Sequence, residues 1–131
     1  ATGMHCSVEY PRWGSWEDFL EMGFKYWYNF SLRNGLDFIP CVRPGYSMKY
    51  CPWHSPEMRE ADPAAYPRSI ELWKKRIEMA VPYSNTFGMM VGDFNDFTEN
   101  ARLEPSTQEG EGFEYLKAMK DVLSECYELG T

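Results

Sequence analysis

Two acidic side chains, Asp96 and Glu99, have the residue types and the spacing best suited to chemistry in this chain. They lie in residues 95–106, which read Asn-Asp-Phe-Thr-Glu-Asn-Ala-Arg-Leu-Glu-Pro-Ser. Two carboxylates three residues apart, just past a probable buried strand, lie where an α/β protein tends to carry its chemistry. The alternative is that both are solvated loop acids or helix-cap residues, and residue type alone does not separate the two interpretations.

Four further side chains could contact a ligand near these acids: Tyr46, Trp53, Asn95 and Glu104. The rings of Tyr46 and Trp53 could stack on a sugar, and packing of the loop that carries them is the competing interpretation. Asn95 could contact a sugar or, as we favour, brace a loop through hydrogen bonds. Glu104 could bind a hydroxyl group or pair with Arg102.

The metal-ligand patterns in the chain are incomplete. Cys51 and His54 have the spacing of half a metal site, but no second half is present, and the four cysteines contain no CxxC pair. A calcium-loop pattern over residues 93–104 is broken where its turn glycine should stand. We therefore expect no metal and no cofactor. We expect buried free thiols, with one disulfide as the alternative.

The hydrophobic pattern predicts the elements that must position the two acids. Apolar runs at residues 4–10, 36–42 and 87–94 predict strands, although Pro40 weakens a central position for the second. Apolar residues at helical spacing predict three helices. The first follows Ser15 as N-cap and stops at Asn34-Gly35, the second spans roughly 67–81, and the third spans about 112–128.

The order of these elements predicts an α/β fold made of parallel βα units with right-handed crossovers. Two long loops, 43–66 and 97–111, each follow a strand and precede a helix. Both should therefore emerge at the carboxyl edge of the sheet, where parallel α/β proteins bind ligands. Asp96 lies at the start of the second loop, so we expect the acids on that binding face.

Composition narrows the range of partners. The chain of 131 residues is long enough for one domain with its own core, and its net charge is −7 with a pI of about 4.8. An acidic surface repels phosphates, so we expect neither nucleic acid nor an anionic membrane as partner, and no run approaches a membrane-spanning length. The aromatic share of 17% suits a core of large side chains or, as second interpretation, a sugar-binding cleft.

Two motifs in sequence order resemble glycoside hydrolase family 99, which includes endo-α-mannosidases and the related WbsX-type proteins of polysaccharide gene clusters. Residues 38–46 (Phe-Ile-Pro-Cys-Val-Arg-Pro-Gly-Tyr), followed by Pro52-Trp53, resemble the segment after a late barrel strand of that family. Residues 95–105 are similar to its motif N-E-W-x-E-G-x-x-[LI]-E-P. The matches, with a helix beginning Tyr115-Leu-Lys-Ala, cover roughly residues 36–123.

The resemblance implies a (β/α)₈ TIM barrel, of which this chain would hold only the last three βα units. A full barrel has about 250 residues. Residues 1–131 would then form a single domain or the carboxyl-terminal segment of a larger barrel. A small open sheet leaves unpaired edges. We therefore expect a homo-oligomer or association with the remainder of a larger barrel.

The resemblance also implies roles for the acids: Asp96 as the base that removes the sugar 2-hydroxyl proton, and Glu99 as the acid. The partner would be a glycan or polysaccharide, α-mannoside-like, and the activity glycoside hydrolysis. The alternatives are a non-catalytic carbohydrate-binding or assembly module and a degenerate barrel fragment without ligand.

Several residues depart from the family pattern. Asp96 replaces a glutamate and is one methylene shorter, and Phe97 replaces a tryptophan. Asn100 replaces a glycine, but asparagine can still adopt a positive φ angle. Arg43 replaces a small residue. The family's acidic residue and arginine after Pro-Gly-Tyr are absent, so substrate contacts from that loop are in doubt.

Overall fold

The computed structural model describes residues 16–63, 65–84 and 88–128. The predicted strand at 4–10 and the predicted cap at Ser15 lie outside these residues. The elements, in chain order, are helix α1 (Trp16–Arg33), strand β1 (Cys41–Val42), helices α2 (Pro56–Ala61) and α3 (Ile70–Ala80), strand β2 (Met90–Val91) and helix α4 (Glu114–Glu128); short 3₁₀ turns cover Val81–Tyr83 and Gln108–Gly110.

The three predicted helices are confirmed, with small changes at their ends. Helix α1 stops where Asn34-Gly35 predicted: the Asn34 side chain donates to the Phe30 carbonyl at 2.7 Å, and Gly35 has a φ of 64°. Helix α3 begins later than predicted because the Ser69 hydroxyl caps it, accepting from the Leu72 N–H at 3.1 Å.

The predicted parallel pairing of the second and third strands is confirmed. Strand β1 pairs with β2 in parallel, with Cys41 opposite Met90 and Val42 opposite Val91. The Gly92 N–H extends the ladder by donating to the Val42 carbonyl at 2.9 Å. The architecture is thus a mixed helix and strand fold around a small two-stranded parallel sheet.

The predicted strand lengths were wrong. Regular pairing covers two residues in each strand instead of the runs 36–42 and 87–94, of which residue 87 is not described. Pro40 marks the start of the pairing: its carbonyl accepts from the Met90 N–H at 2.8 Å, but proline has no N–H to donate to the ladder.

Helix α2 lies inside the 43–66 segment that the sequence predicted to be irregular. The Ser55 hydroxyl accepts from the Met58 N–H at 3.3 Å, and Pro56 occupies the first turn, where a missing N–H costs nothing. Asp62 ends the helix with a φ of 41°. Serine followed by proline is a helix-start signal, so this helix could have been recognised from the local sequence.

The core lies between α3 and its neighbours α1 and α4. The Trp73 indole N–H donates to the Tyr115 carbonyl at 3.0 Å, which fixes α3 against α4. The buried side chains come from all three helices and both loops; they include Phe24, Phe38, Val42, Tyr46, Tyr66, Trp73, Ile77, Leu103, Tyr115 and Val122.

A buried arginine holds both ends of the first long loop. The Arg76 guanidinium donates to the carbonyls of Pro44 at 2.7 Å and Pro67 at 2.6 Å, and it lies 3.5 Å from the Tyr66 ring centroid. It also pairs with Glu17 at 3.3 Å. These contacts pair both terminal nitrogens of a cation that is fully excluded from solvent, while its Nε is buried without a hydrogen-bond partner among the described residues. They set where the Pro-Gly-Tyr segment leaves the sheet.

Replacement of Gly45 by alanine should lower the free energy of unfolding by about 1–3 kcal/mol. A Cβ there would lie 3.0 Å from the Arg68 Cβ, 3.1 Å from the Tyr66 carbonyl oxygen and 3.3 Å from the Asn100 carbonyl oxygen. These are mostly backbone neighbours, which cannot rotate away. Urea unfolding at constant pH measures the change. An unchanged midpoint and slope would contradict the prediction and would show that the loop backbone shifts to accommodate the methyl group.

The cysteines that the structure describes, Cys41, Cys51 and Cys126, are free thiols, and the first two are buried. Cys6 lies outside the described residues. None of the helices described combines the length and the apolar character needed to cross a membrane.

Candidate functional site

Asp96 and Glu99 lie in a single turn after β2. The Asp96 carboxylate accepts through Oδ1 from the Glu99 N–H at 2.9 Å and from the Thr98 hydroxyl at 2.9 Å. Asn100 follows with a φ of 53°, so the predicted left-handed conformation is confirmed. The Ala101 N–H closes the turn by donating to the Asp96 carbonyl at 2.9 Å. We call residues 96–100 the acid turn.

The acid turn is attached to the loop that follows β1. The Ser47 N–H donates to the Glu99 carbonyl at 2.8 Å, and the Cys51 thiol donates to the Thr98 carbonyl at 3.4 Å. The two loops at the carboxyl ends of the paired strands therefore meet. This contact holds the acids against a fixed backbone instead of leaving them on a free loop.

One cation, Arg43, lies among the acids. Its guanidinium pairs with Asp93 at 2.7 Å and lies 3.7 Å from a Glu99 carboxylate oxygen. The Arg43 side chain is only 10% exposed and that of Glu99 21%, so water screens this group poorly. Gly92 makes room for the arginine, because a Cβ there would lie 2.8 Å from the Arg43 Nε.

The pKa of the Glu99 carboxyl is raised above its usual value. Burial is the main cause, and the negative charge of Asp96 adds to it, while the charge of Arg43 acts in the opposite direction. A raised pKa keeps a larger fraction of the carboxyl protonated near neutral pH. Glu99 is thereby better suited than an ordinary glutamate to donate a proton.

Two other titratable groups face the same acids. Burial, followed by the charge of Glu99, raises the pKa of Tyr46 to about 12 and that of Cys51 to about 11. Both groups are therefore protonated at neutral pH. Cys51 in that state is a poor nucleophile, because the thiolate is the reactive form.

The two aromatic residues that were predicted to stack on a sugar differ in their exposure to solvent. Tyr46 is 2% exposed and packs in the core, and its backbone pairs with that of Tyr66. Burial of both ring faces favours packing, the competing interpretation. Trp53 is 60% exposed and lies beside His54, with 6.3 Å between ring centroids. Its surface is open, and its stacking role stays a prediction.

Asn95 and Glu104 lie on either side of the acid turn. Asn95 is exposed, and its carbonyl accepts from the Phe97 N–H at 3.1 Å. Glu104 is partly buried, and its N–H donates to the Phe94 carbonyl at 2.7 Å. Among the described residues Arg102 pairs with Glu111, at 2.9 Å, and not with Glu104. Glu104 therefore forms no ion pair with Arg102.

The part that Asp93 plays in the site was not predicted, and Arg43 was noted only as a departure from a motif. The strand register explains why the two meet: Val42 lies opposite Val91, so Arg43 is level with Gly92 and its long side chain reaches Asp93, one residue further on. An arginine after one strand and an aspartate after the next were therefore a usable signal, but only once the register was known.

No group of three or more His, Cys, Asp or Glu side chains that could hold a metal ion is found within residues 16–63, 65–84 and 88–128. The acids of the site are instead brought together by an arginine and by backbone N–H groups. The arrangement can transfer protons between two neighbouring carboxyls and a ligand.

The chain is similar in structure to a known glycoside hydrolase. No family model matches the sequence, and no curated protein matches it. A solved structure of the GH99 endo-alpha-mannosidase from Bacteroides thetaiotaomicron, in complex with bis-tris-propane, superimposes with a TM-score of 0.53 at 16% sequence identity. The match covers 84% of this chain and 36% of that enzyme. The chain therefore has a distant structural relationship, at the level of fold, to part of a TIM-barrel enzyme.

Proposed function

We propose that this chain belongs to a carbohydrate-active, glycoside hydrolase-like protein that processes an α-mannoside-like glycan, with Asp96 and Glu99 as its acid/base pair. The observation that carries the proposal is the acid turn. It holds both carboxyls three residues apart at the carboxyl end of a parallel strand pair. The distant fold similarity to an endo-alpha-mannosidase supports the same assignment.

In this proposal Glu99 donates its proton to the glycosidic oxygen as the bond to the leaving sugar breaks. Its raised pKa supports that role. Asp96 accepts the proton of the sugar 2-hydroxyl, and the oxygen thus freed bonds to the anomeric carbon. Water then opens this ring at the anomeric carbon, gives one proton back to Glu99, and the 2-hydroxyl regains the proton held by Asp96. Its Oδ1 accepts from the Thr98 hydroxyl and the Glu99 N–H, which holds the carboxylate in one orientation within the turn. Aspartate reaches less far than glutamate, and a misplacement of about 1 Å can cost about 100-fold in rate. We therefore expect slow turnover.

We further propose that residues 1–131 supply the last βα units of a barrel that is completed by a second copy or by the remainder of a longer protein. The small parallel sheet and the match to 36% of the enzyme support this assembly. Molar mass in solution, measured by light scattering, tests completion by a second copy. A compact monomer that cleaves glycans alone would contradict the shared barrel.

Replacement of Glu99 by glutamine tests the hydrolase assignment. Loss of a general acid should reduce the turnover of an α-mannoside or a mannose-containing polysaccharide by about 10²- to 10⁴-fold. Glutamine preserves the shape of the side chain. The matched control is Glu125→Gln, at an exposed acid of α4, which should leave turnover unchanged. Equal turnover in wild type and Glu99→Gln would remove Glu99 from the chemistry.

A non-catalytic carbohydrate-binding module is the second candidate, and the position of Arg43 favours it. Its guanidinium lies 3.7 Å from Glu99, and such a cation competes with a proton for the carboxylate. Glycan binding that persists in an Asp96→Ala, Glu99→Ala double variant, in a protein without turnover, would select this function over hydrolysis.

A further inference from the structure

An open cleft of about 440 Å³ borders the acid turn. Its described lining consists of two aromatic rings, one hydroxyl and two amides, from Tyr50, Phe97, Thr98, Asn100 and Gln108. The volume lies within the range of small-molecule sites, about 300–1,000 Å³. None of these five side chains belongs to the set that the sequence predicted to bind substrate.

We propose that this cleft is a subsite for a neutral sugar residue of the glycan, adjoining the sugar that reaches Asp96 and Glu99. The inference rests on the proposed function for the position of the second sugar, but its binding chemistry can be tested separately. Tyr50 and Gln108 are its specificity-determining residues.

The aromatic part of the cleft is open and mounted on fixed backbone. Tyr50 is 63% exposed, and the next residue, Cys51, is fully buried, with its N–H donating to the Met48 carbonyl at 2.9 Å. The Lys49 ammonium lies over the Tyr50 ring, 5.6 Å from its centroid, so a ligand would stack on the opposite face, without any loss of core packing. Phe97 is partly buried and adds a second apolar surface. Flat apolar surface beside a few polar groups is the usual composition of a ligand site.

The polar groups of the cleft match hydroxyl groups. The Thr98 hydroxyl donates to Asp96, so its oxygen remains an acceptor. The Asn100 amide oxygen accepts from Arg102, so its NH₂ group remains a donor. Gln108 lies on the exposed surface, and its amide supplies both kinds of group. A sugar hydroxyl both donates and accepts, and this mixture can pair with it.

The charges around the cleft favour a neutral ligand. All five lining side chains are uncharged. They are bordered by the two carboxyls of the acid turn and by two cations, Lys49, 5.6 Å from the Tyr50 ring centroid, and Arg102, 5.5 Å from that of Phe97. The chain as a whole carries a net charge of −7. The local acids and cations balance, so a sulfated or uronic sugar gains no net attraction there, and the overall negative charge of the chain disfavours it. This distinguishes neutral mannosides and similar hexoses from acidic polysaccharides.

Sequence position links the cleft to the acids. Three lining residues belong to the acid turn: Phe97 and Thr98 lie between Asp96 and Glu99, and Asn100 follows Glu99. A glycan that lies along this turn would contact the cleft with one sugar and the carboxyls with its neighbour. The subsite should therefore strengthen the binding of oligosaccharides and have little effect on a monosaccharide.

The test is calorimetric titration with an α-linked mannotriose in the Glu99→Gln background, which limits turnover during the measurement. Adding Tyr50→Ala should weaken binding about tenfold, and adding Gln108→Ala about two- to tenfold. Tyr50→Phe should retain most of the affinity because it keeps the ring. Tyr26→Ala is the matched control, since Tyr26 is an exposed tyrosine of α1 outside the cleft. Thermal melting checks that each variant is folded.

The outcomes separate the subsite from the hydrolase function. Full affinity in Tyr50→Ala and Gln108→Ala would overturn the subsite, even if Glu99→Gln removes turnover. Weakened binding in both, with turnover that Glu99→Gln does not change, would support the subsite and overturn the acid role of Glu99. Equal weakening by Tyr26→Ala, tighter binding of an acidic trisaccharide, or no binding of the mannotriose would each overturn the subsite.

Discussion

Replacement of Glu111 by glutamine should lower the free energy of unfolding by about 3–5 kcal/mol at neutral pH. Glu111 accepts two hydrogen bonds from Arg68, at 2.8 and 2.9 Å, and pairs with Arg102 at 2.9 Å. The side chains of Arg68 and Arg102 are 4% and 1% exposed. Glutamine removes the only negative charge in this group and leaves two buried guanidinium groups without compensation.

The large effect also reflects what this ion cluster connects. Arg68 precedes α3, Arg102 follows the acid turn, and Glu111 precedes α4. Arg68 further donates to the Arg102 carbonyl at 2.7 Å and stacks over the Tyr115 ring at 3.9 Å. Loss of Glu111 should therefore loosen the second long loop at both ends, including the backbone that supports the acids.

The effect of Glu111→Gln should depend on pH with a definite sign. Burial alone would raise the pKa of this carboxyl, but the hydrogen bonds and charges of Arg68 and Arg102 outweigh it, and the pKa is lowered. A carboxyl with a folded-state pKa below its unfolded value stabilises the fold above the unfolded pKa. That stabilisation is lost as pH falls through the folded pKa.

Urea unfolding from about pH 7 down to about pH 3 measures the effect. The gap between wild type and Glu111→Gln should be widest at neutral pH and should narrow in acid. Glu114→Gln is the control, since Glu114 is an exposed acid in the first turn of α4 and should change stability by under about 0.5 kcal/mol. A gap of the same size at every pH would show that packing, and not charge, causes the loss.

The second large effect is expected from Arg43→Gln, which should raise the pKa of Glu99 further and lower the free energy of unfolding by roughly 1–3 kcal/mol at neutral pH. Arg43 is the cation that pairs with Asp93 and approaches Glu99. Its removal leaves these acids and Asp96 facing one another. The estimate is lower than for Glu111, because the carboxylates near Arg43 are 21–23% exposed and partly screened by water.

The pH dependence of the stability loss in Arg43→Gln follows from the direction in which the pKa of Glu99 is shifted. The pKa of Glu99 is raised, mainly by burial and then by Asp96, and Arg43 opposes that rise. A carboxyl whose pKa is higher in the folded than in the unfolded state destabilises the fold when it is ionised. The free energy of unfolding therefore falls as pH rises from the unfolded-state pKa to the folded-state pKa. The cost of Arg43→Gln should therefore be small in acid and grow toward neutral pH.

Carbon-13 NMR titration of the Glu99 carboxyl measures this pKa directly. Asp93→Asn should act in the opposite direction, because an arginine released from Asp93 can move closer to Glu99 and favour its ionised form. Under the proposed function, the limb of the pH profile of glycan turnover that reports Glu99 should move with the pKa in both variants. A Glu99 pKa that shifts the same way in Arg43→Gln and Asp93→Asn would contradict this account of the charge network.

Local sequence patterns predicted the helices well. The strands were predicted less well, because their lengths depend on pairing between residues distant in sequence. Helices α1, α3 and α4 follow from apolar residues at helical spacing, since each turn is formed by neighbours in sequence. The parallel pairing followed from element order. The lengths of β1 and β2 did not, because a strand extends only as far as its partner remains alongside it. Helix α2 was missed for a local reason: several prolines obscured the Ser55-Pro56 start signal.

Asp96 and Glu99 lie close together for a reason that is local in sequence, because a turn of a few residues brings them into one hydrogen-bonded unit. Their surroundings depend instead on tertiary contacts. Arg43 reaches Asp93 across 50 residues through the strand register, and Arg68 reaches Glu111 across 43 residues. Tyr46 is buried in the core, whereas Tyr50 is exposed to solvent. Such choices depend on which surfaces meet when loops distant in sequence pack together, and residue type and spacing do not encode those distances.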